Sequence, residues 1–190
     1  MTKNQSFDIF GNIAIVKFQK QVSSNNKKKF AERFLKENKS VKTVVEKTGK
    51  FSGRLRKQST KYLAGEKTKE ALYKENGCVF RLNIDNVYFS SRLSSERKEI
   101  AGKVKRGESV LVMFAGVAPF PIVIAKNLKA KVVYSNEINR EANKYAELNI
   151  GLNKVKGRVF LLPGDVKKIA DKITNKKLSP PTRALARVIN

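Results

Sequence analysis

The sequence predicts an α/β protein in two parts, a basic α+β module over residues 1–87 and a partial, open parallel sheet over residues 88–190. Three observations carry that prediction. Short apolar runs at Val110–Phe114, Val132–Asn136 and Val159–Leu162 alternate with stretches of helical periodicity, the pattern of strand–helix units in a parallel sheet. Each run is followed by a small or acidic residue, Gly116, Glu137 and Asp165 in turn, at the strand end where such a sheet holds its ligand. Ahead of them, Gly11-Asn12 and Asn76-Gly77 interrupt apolar segments as turn pairs.

In chain order, Phe7 to Phe18 reads as two short strands around Gly11-Asn12. Ser23–Asn26 is a polar break with cap residues. Phe30, Ala31, Phe34 and Leu35 then share one face of a helix over Lys27–Asn38, with lysines outside. Val41, Val44 and Val45 suggest a strand. Lys47–Lys61 carries Lys47, Lys50, Arg54, Arg56, Lys57 and Lys61 with little apolar content and reads as a basic loop. After Asn76-Gly77, alternation from Val79 to Ile84 marks a half-buried strand.

Val87–Leu93 joins the two parts. Ser94 is placed to cap a helix from Ser95 to about Val104, with Glu96 in its first turn and Ile100 and Val104 facing inward. The strand Val110–Phe114 runs into a small-residue turn, and a helix opens at Pro119, where proline is tolerated. The second strand ends at Glu137. Asn139 then caps a helix with Ala142, Tyr145, Leu148 and Leu152 near one face. The third strand closes on Pro163-Gly164-Asp165, ahead of a short helix over Val166–Ile173 and a polar tail.

Composition narrows the partners. Against 16 Asp and Glu stand 41 Lys and Arg, a formal charge of +25, so polyanions are the natural binding partners. No basic amphipathic helix with bulky apolar anchors suggests a membrane surface, and no run is long enough to span a bilayer; the expected location is the cytoplasm. The single Cys78 excludes an internal disulfide, and the lack of histidine argues against a zinc cluster and excludes a His-based triad. No metal site is expected.

The turn after Val110–Phe114 offers only Gly116, with Ala118 where a second glycine would help, so a diphosphate loop is disfavoured. A nucleoside ligand without phosphates fits better. Glu137 can accept both ribose hydroxyls, and Asp165 can accept an adenine amine with the Val166 N–H beside it. S-adenosylmethionine meets that description.

Val87–Arg97, Met113–Phe120, Glu137-Ile138-Asn139 and Leu148–Lys154 together resemble the archaeal–eukaryotic tRNA (guanine-N1)-methyltransferases. Phe7–Asn12, Leu63–Glu66 and Lys74–Cys78 are similar to that family's middle domain. The resemblance implies an RNA-binding module followed by a Rossmann-like class I methyltransferase domain, here its first three βα units. It also implies methyl transfer from S-adenosyl-L-methionine to N1 of guanosine 37 of tRNA, beside the anticodon. By motif, Arg97, Phe114, Ala115, Gly116, Glu137, Ile138, Asp165 and Val166 line the cofactor. Arg92 faces the target base and Glu96 is the general base. Those roles suit the chemistry: N1 of guanine must lose a proton as the methyl arrives, and a donor to O6 helps. Tyr88 or Phe89 could stack on a flipped base.

Three departures from the family pattern carry expectations. Val112 stands where the family has an aspartate, which predicts weaker cofactor binding, and Ala118 stands where it has glycine. The family's fourth strand, ending in Asn-x-Pro, is not legible: the only proline pair is Pro180-Pro181, read as a turn or loop, and the tail from Thr182 is short. Ser109–Phe114 is therefore expected to be an open sheet edge in a chain that is either poorly stable or pairs with another polypeptide, as a fragment, a frame-disrupted gene product or half of a split enzyme that lacks full activity alone. Two other readings stay open, an aminocarboxypropyl transferase acting on the same nucleoside region and a non-catalytic RNA-binding fragment. If the charge serves RNA, raising salt from about 50 to about 200 mM lowers tRNA affinity at least tenfold in filter binding; a flat response would mark a merely solvated surface.

Overall fold

A left-handed glycine at a tight turn starts the architecture. In the computed structural model, which describes residues 5–49, 52–169 and 188–189, β1 (Ser6–Phe10) and β2 (Ile13–Lys17) pair antiparallel across Gly11 (φ +56°). The chain divides into two units, Met1–Tyr73 with Arg81–Val87 and Lys74–Phe80 with Tyr88–Asn190.

In the first unit α1 spans Ser24–Glu37, three residues earlier at its start than periodicity suggests, because Ser23 is the N-cap and its Oγ accepts from Asn26 N–H at 3.3 Å. β3 (Thr43–Lys47) runs parallel to β2 and antiparallel to β4 (Thr60–Gly65), giving the sheet order β1-β2-β3-β4. β4 corrects the basic-loop expectation: Thr60 and Lys61 are strand residues, and an edge strand needs only one apolar face. Of that loop Lys50 lies outside the described residues, while Arg54, Arg56 and Lys57 are exposed. Ala14, Val16, Ala31, Phe34 and Val44 are buried together where α1 covers the sheet. β5 (Glu70–Glu75) and β6 (Cys78–Asn83) form a two-stranded sheet whose tip, Lys74–Phe80, belongs to the second unit; it turns at Asn76-Gly77, both with positive φ as a type I′ turn requires.

In the second unit a 3₁₀ turn (Ser91–Leu93) leads into α2 (Ser94–Lys103). Ser94 is a helical residue and not a side-chain cap; Asn76 Nδ2 donates to its carbonyl at 2.9 Å. α2 buries Arg97 and Ala101, and Val104 beyond its end is buried too. β7 (Ser109–Val112), β8 (Val132–Glu137) and β9 (Val159–Pro163) are parallel neighbours joined by α3 (Pro119–Lys126) and α4 (Arg140–Leu152). Right-handed crossovers place α3 and α4 on one face of that sheet. Leu111, Val132 and Tyr134 cluster with Met113 and Leu162. β7 ends at Val112, two residues short of the expected run. The buried face of α4 is Ala142, Asn143, Ala146, Asn149 and Ile150, while Leu148 and Leu152 are exposed.

The sheet-edge expectation is overturned. β10 (Val188–Ile189) lies parallel to β7, with Val188 opposite Leu111 and Ile189 opposite Val112, so the order is β10-β7-β8-β9. At Leu111 and Val112 the backbone of β7 finds a fourth strand within this chain. The proline pair and the part of the expected helix beyond Ile169 lie outside the described residues.

Gly11 and Gly65 are positions where both conformation and space demand glycine: a Cβ would stand 1.8 Å from Leu72 O and 2.0 Å from Lys42 O, at φ +56° and +94°. Gly11→Ala and Gly65→Ala should each cost more than about 2 kcal/mol in urea unfolding. Gly53→Ala, equally left-handed but with open space around it, should cost only about 1 kcal/mol. Equal losses at all three would refute the close-approach argument.

Candidate functional site

Parallel strands with crossovers of one hand bring the loops after β7, β8 and β9 to the same end of the sheet. The loop after β7 is the most constrained. Phe114, Gly116 and Ala118 have φ of +56°, +57° and +65°, so two non-glycine residues within five positions occupy the left-handed region at about 1–2 kcal/mol each. A Cβ on Gly116 would lie 3.3 Å from Tyr88 O. Ala118 is the fully buried N-cap of α3, in a backbone conformation that glycine adopts with less strain. Phe114 is 64% exposed.

Hydrogen bonds hold this loop to the end of β8. Ala115 N–H donates to Asn136 O at 2.9 Å and Gly116 N–H to Glu137 Oε2 at 2.8 Å. Glu137 Oε1 accepts from Asn139 N–H at 2.8 Å, and Asn139 Oδ1 caps α4 through Glu141 N–H. The Glu137 carboxylate is thus oriented by two backbone donors, one per oxygen. It is half-buried, and its remaining lone pairs can accept from a diol. Ile138, also half-buried, follows it.

The loop after β9 is tied to the same strand. Asn136 Nδ2 donates to Leu162 O at 2.7 Å and Gly164 O at 3.0 Å, and Gly164 N–H donates to Glu137 O at 2.9 Å. Asp165 then opens a helical turn over residues 166–169, its Oδ1 accepting from Lys167 N–H at 3.1 Å. Asp165 and Val166 are half-buried. All three strand-end segments named from sequence therefore meet through β8.

Arg92 and Glu96 are exposed, four residues apart across the junction of the 3₁₀ turn and α2. Arg97, expected along the cofactor, is buried on protein partners. It is 1% exposed; its Nε and Nη2 engage the Glu75 carboxylate, the Nη2–Oε2 distance being 2.7 Å, and Nη2 also donates to Ser90 O at 2.9 Å. Its guanidinium lies 5.2 Å from the Phe89 ring centroid and 5.6 Å from that of Phe120. Phe89 is thereby a packing partner of Arg97.

Sequence reading identified Asn139 as a cap but missed the other buried asparagines. Asn136, Asn139, Asn143, Asn149 and Asn153 are all at most 9% exposed, and the last four recur on the inner face of α4 or at its caps. Asparagine at apolar-face spacing was the available signal. Cys78 is buried, and burial pushes its thiol up, which makes it a poor nucleophile. Among the described residues no group of three His, Cys, Asp or Glu could hold a metal, and no helix is long and apolar enough to cross a membrane.

Comparison with known proteins matches this arrangement to a family. A model described as the TRM5/TYW2 methyltransferase domain covers residues 71–181, and one described as the TYW2 N-terminal domain covers residues 2–68. The tRNA (guanine(37)-N(1))/4-demethylwyosine(37)-methyltransferase Taw22 of Nanoarchaeum equitans is 47% identical over 79% of this chain and 49% of its own length. The tRNA (guanine(37)-N(1))-methyltransferase Trm5b of Pyrococcus abyssi is 41% identical over 88% of this chain and 51% of its own. The crystal structure of Methanocaldococcus jannaschii Trm5 in complex with adenosine superposes with a TM-score of 0.75 at 33% identity, covering 86% of this chain and 48% of that one. The chain spans about half the length of these relatives.

Glu75→Gln should destabilise the second unit by about 3–5 kcal/mol in urea unfolding, because it strands the Arg97 charge in the interior. The double variant Glu75→Leu/Arg97→Met should recover most of that loss. An additive double loss would show that the pair's packing, and not its charge balance, matters.

Proposed function

We propose, from the premise that this chain belongs to the TRM5/TYW2 methyltransferase family, that it binds S-adenosyl-L-methionine at the ends of β7–β9 and serves methyl transfer to N1 of guanosine 37 in tRNA. The observation that carries the reading is the Glu137 carboxylate, fixed by Gly116 N–H and Asn139 N–H at the strand end. Two acceptor oxygens, already oriented, suit the two hydroxyls of a ribose, and such charge-assisted bonds contribute about 1.5–3 kcal/mol each when buried. Adenosine in the related Methanocaldococcus jannaschii structure is the corresponding part of the cofactor.

In this reading Asp165 and the Val166 N–H take the adenine edge, with Ile138 beside the ring and Phe114, Ala115 and Gly116 along the cofactor's other end. The cofactor supplies an activated methyl group; the chain's own residues orient it and manage the proton. Glu96 accepts the N1 proton and Arg92 donates to the developing charge on O6, both from one exposed helix start where tRNA has access. Arg97 serves as their support, since its guanidinium is committed to Glu75 and Ser90 O. The exposed Arg54, Arg56 and Lys57 follow tRNA phosphates.

A second reading is favoured by the TYW2 N-terminal match over residues 2–68: transfer of the cofactor's aminocarboxypropyl group to the same nucleoside region. Val112 keeps it open, since a missing acid alters the cofactor end of β7.

The test is incubation with S-adenosyl-L-methionine and tRNA transcript, followed by mass analysis of the modified nucleoside. Methylguanosine is expected, and an aminocarboxypropyl adduct would favour the second reading. Glu96→Gln should lower turnover about 10²–10⁴-fold with cofactor affinity unchanged, while Glu137→Gln should weaken the cofactor. Cofactor binding with no product of either kind would leave only an RNA- and nucleoside-binding module.

A further inference from the structure

The loop after β7 is held from behind by residues that do not belong to the ligand-facing set. Val79, on β6 at the hairpin tip, pairs both its backbone groups with one side chain. Its N–H donates to Asn153 Oδ1 at 2.8 Å, and Asn153 Nδ2 donates to Val79 O at 2.7 Å. Asn153 thus does what a neighbouring strand would do. Its Nδ2 also donates to Asn149 O at 2.8 Å, and Asn149 Nδ2 donates to Val117 O at 3.2 Å. Asn149 and Val117 are fully buried and Asn153 is 4% exposed, so solvent does not substitute readily along this path.

Val117 is where such support is needed. It sits between Gly116 and Ala118, both left-handed, and residue 121, the next donor by helical register, is a proline with no N–H to offer. A strained loop with an unsatisfied buried carbonyl would relax, and Gly116 N–H would leave Glu137. The amide of Asn149 supplies the missing donor, and Asn153 fixes Asn149's own turn of α4 to the hairpin tip.

We propose that Asn149 and Asn153 are positioning residues for the nucleoside loop, coupling the hairpin tip Lys74–Phe80 through Val117 to Gly116 and the Glu137 carboxylate. The inference rests on the reading of that loop as a cofactor site. The coupling is carried by a short, buried chain of hydrogen bonds made by the two side-chain amides. Asn153 enters only at its far end, away from Val117, so its loss should act on the loop at a distance.

The experiment compares Asn153→Ala, Asn149→Ala and their double variant with the wild-type chain, using Val133→Ala as a core-trimmed control. S-adenosylhomocysteine affinity is measured by calorimetry, and Gly116 amide exchange in the ligand-free protein by NMR. We expect Asn153→Ala to weaken affinity and speed Gly116 exchange, each about tenfold. The double variant should be no worse than Asn149→Ala alone, because the two act in series. Val133→Ala should lower the thermal midpoint with affinity retained. Affinity within about twofold of wild type, or unchanged Gly116 exchange, in Asn153→Ala overturns the proposal. If the wild-type chain does not bind S-adenosylhomocysteine, the cofactor reading fails, and the exchange rates alone then decide the positioning role.

Discussion

A single buried ion pair is the constraint on which the second unit depends. Arg97 and Glu75 have side chains 1% and 2% exposed, where an unmatched charge costs several kcal/mol. The pair survives because the guanidinium is well matched: Nε and Nη2 engage the carboxylate, Ser90 O is a further acceptor, and the Phe89 and Phe120 rings lie beside it. Those partners come from the hairpin tip, the linker before the 3₁₀ turn, and the first turn of α3. Such a pair contributes little net stability compared with a well-packed apolar replacement. It also ties three segments of the unit to one charged group. Ser90 lies two residues before Arg92, so the helix start that presents Arg92 and Glu96 is anchored from inside.

The strand-end loops obey a second economy. Backbone groups at the ends of β7, β8 and β9 have no further ladder to join, and buried ones must find partners elsewhere. Here side chains take that role. Glu137 satisfies Gly116 and Asn139, Asn136 satisfies Leu162 and Gly164, and Asn149 satisfies Val117. Asparagine suits these places because one amide carries donors and an acceptor with little side-chain entropy to lose. The result is a rim of fixed loops with a carboxylate in the middle, which costs strain at Phe114 and Ala118 and leaves the Glu137 oxygens oriented.

The parallel strands were legible because burial on both faces writes a continuous apolar run, and Asn139 was legible because a cap is a local event. The elements that escaped depend on partners distant in sequence. β4 begins Thr60-Lys61-Tyr62 on a sheet edge, where one face is polar and the run resembles a loop. β10 pairs only two residues with β7, too few for any periodicity to show. The buried partner of Arg97, Glu75, lies 22 residues away, beyond any helix or hairpin rule. On α4, leucines suggested the buried face, whereas Asn143 and Asn149 occupy it because backbone carbonyls of neighbouring loops await donors there. Glu137 and Asp165 were placed correctly at strand ends, but the reason Glu137 is poised, its two backbone donors, depends on how the loops meet.

Val112 and Ala118 have different physical consequences. Ala118 carries a local conformational cost: at φ +65° its methyl strains the backbone in the free protein and in any complex alike. Val112 acts on charge. It is 2% exposed, opposite Ser135 on β8 and Ile189 on β10, so an acid there would sit between two strands at the mouth of the loop. Valine instead strengthens the strand, having a branched side chain suited to a buried central position. Within the cofactor reading, this removes one anion from the end that would face a positively charged sulfonium and leaves Glu137 as the carboxylate nearest the loop. The ribose contact then carries more of the affinity, and the precision with which Gly116 and Asn139 hold Glu137 matters more here than in a relative that keeps both acids.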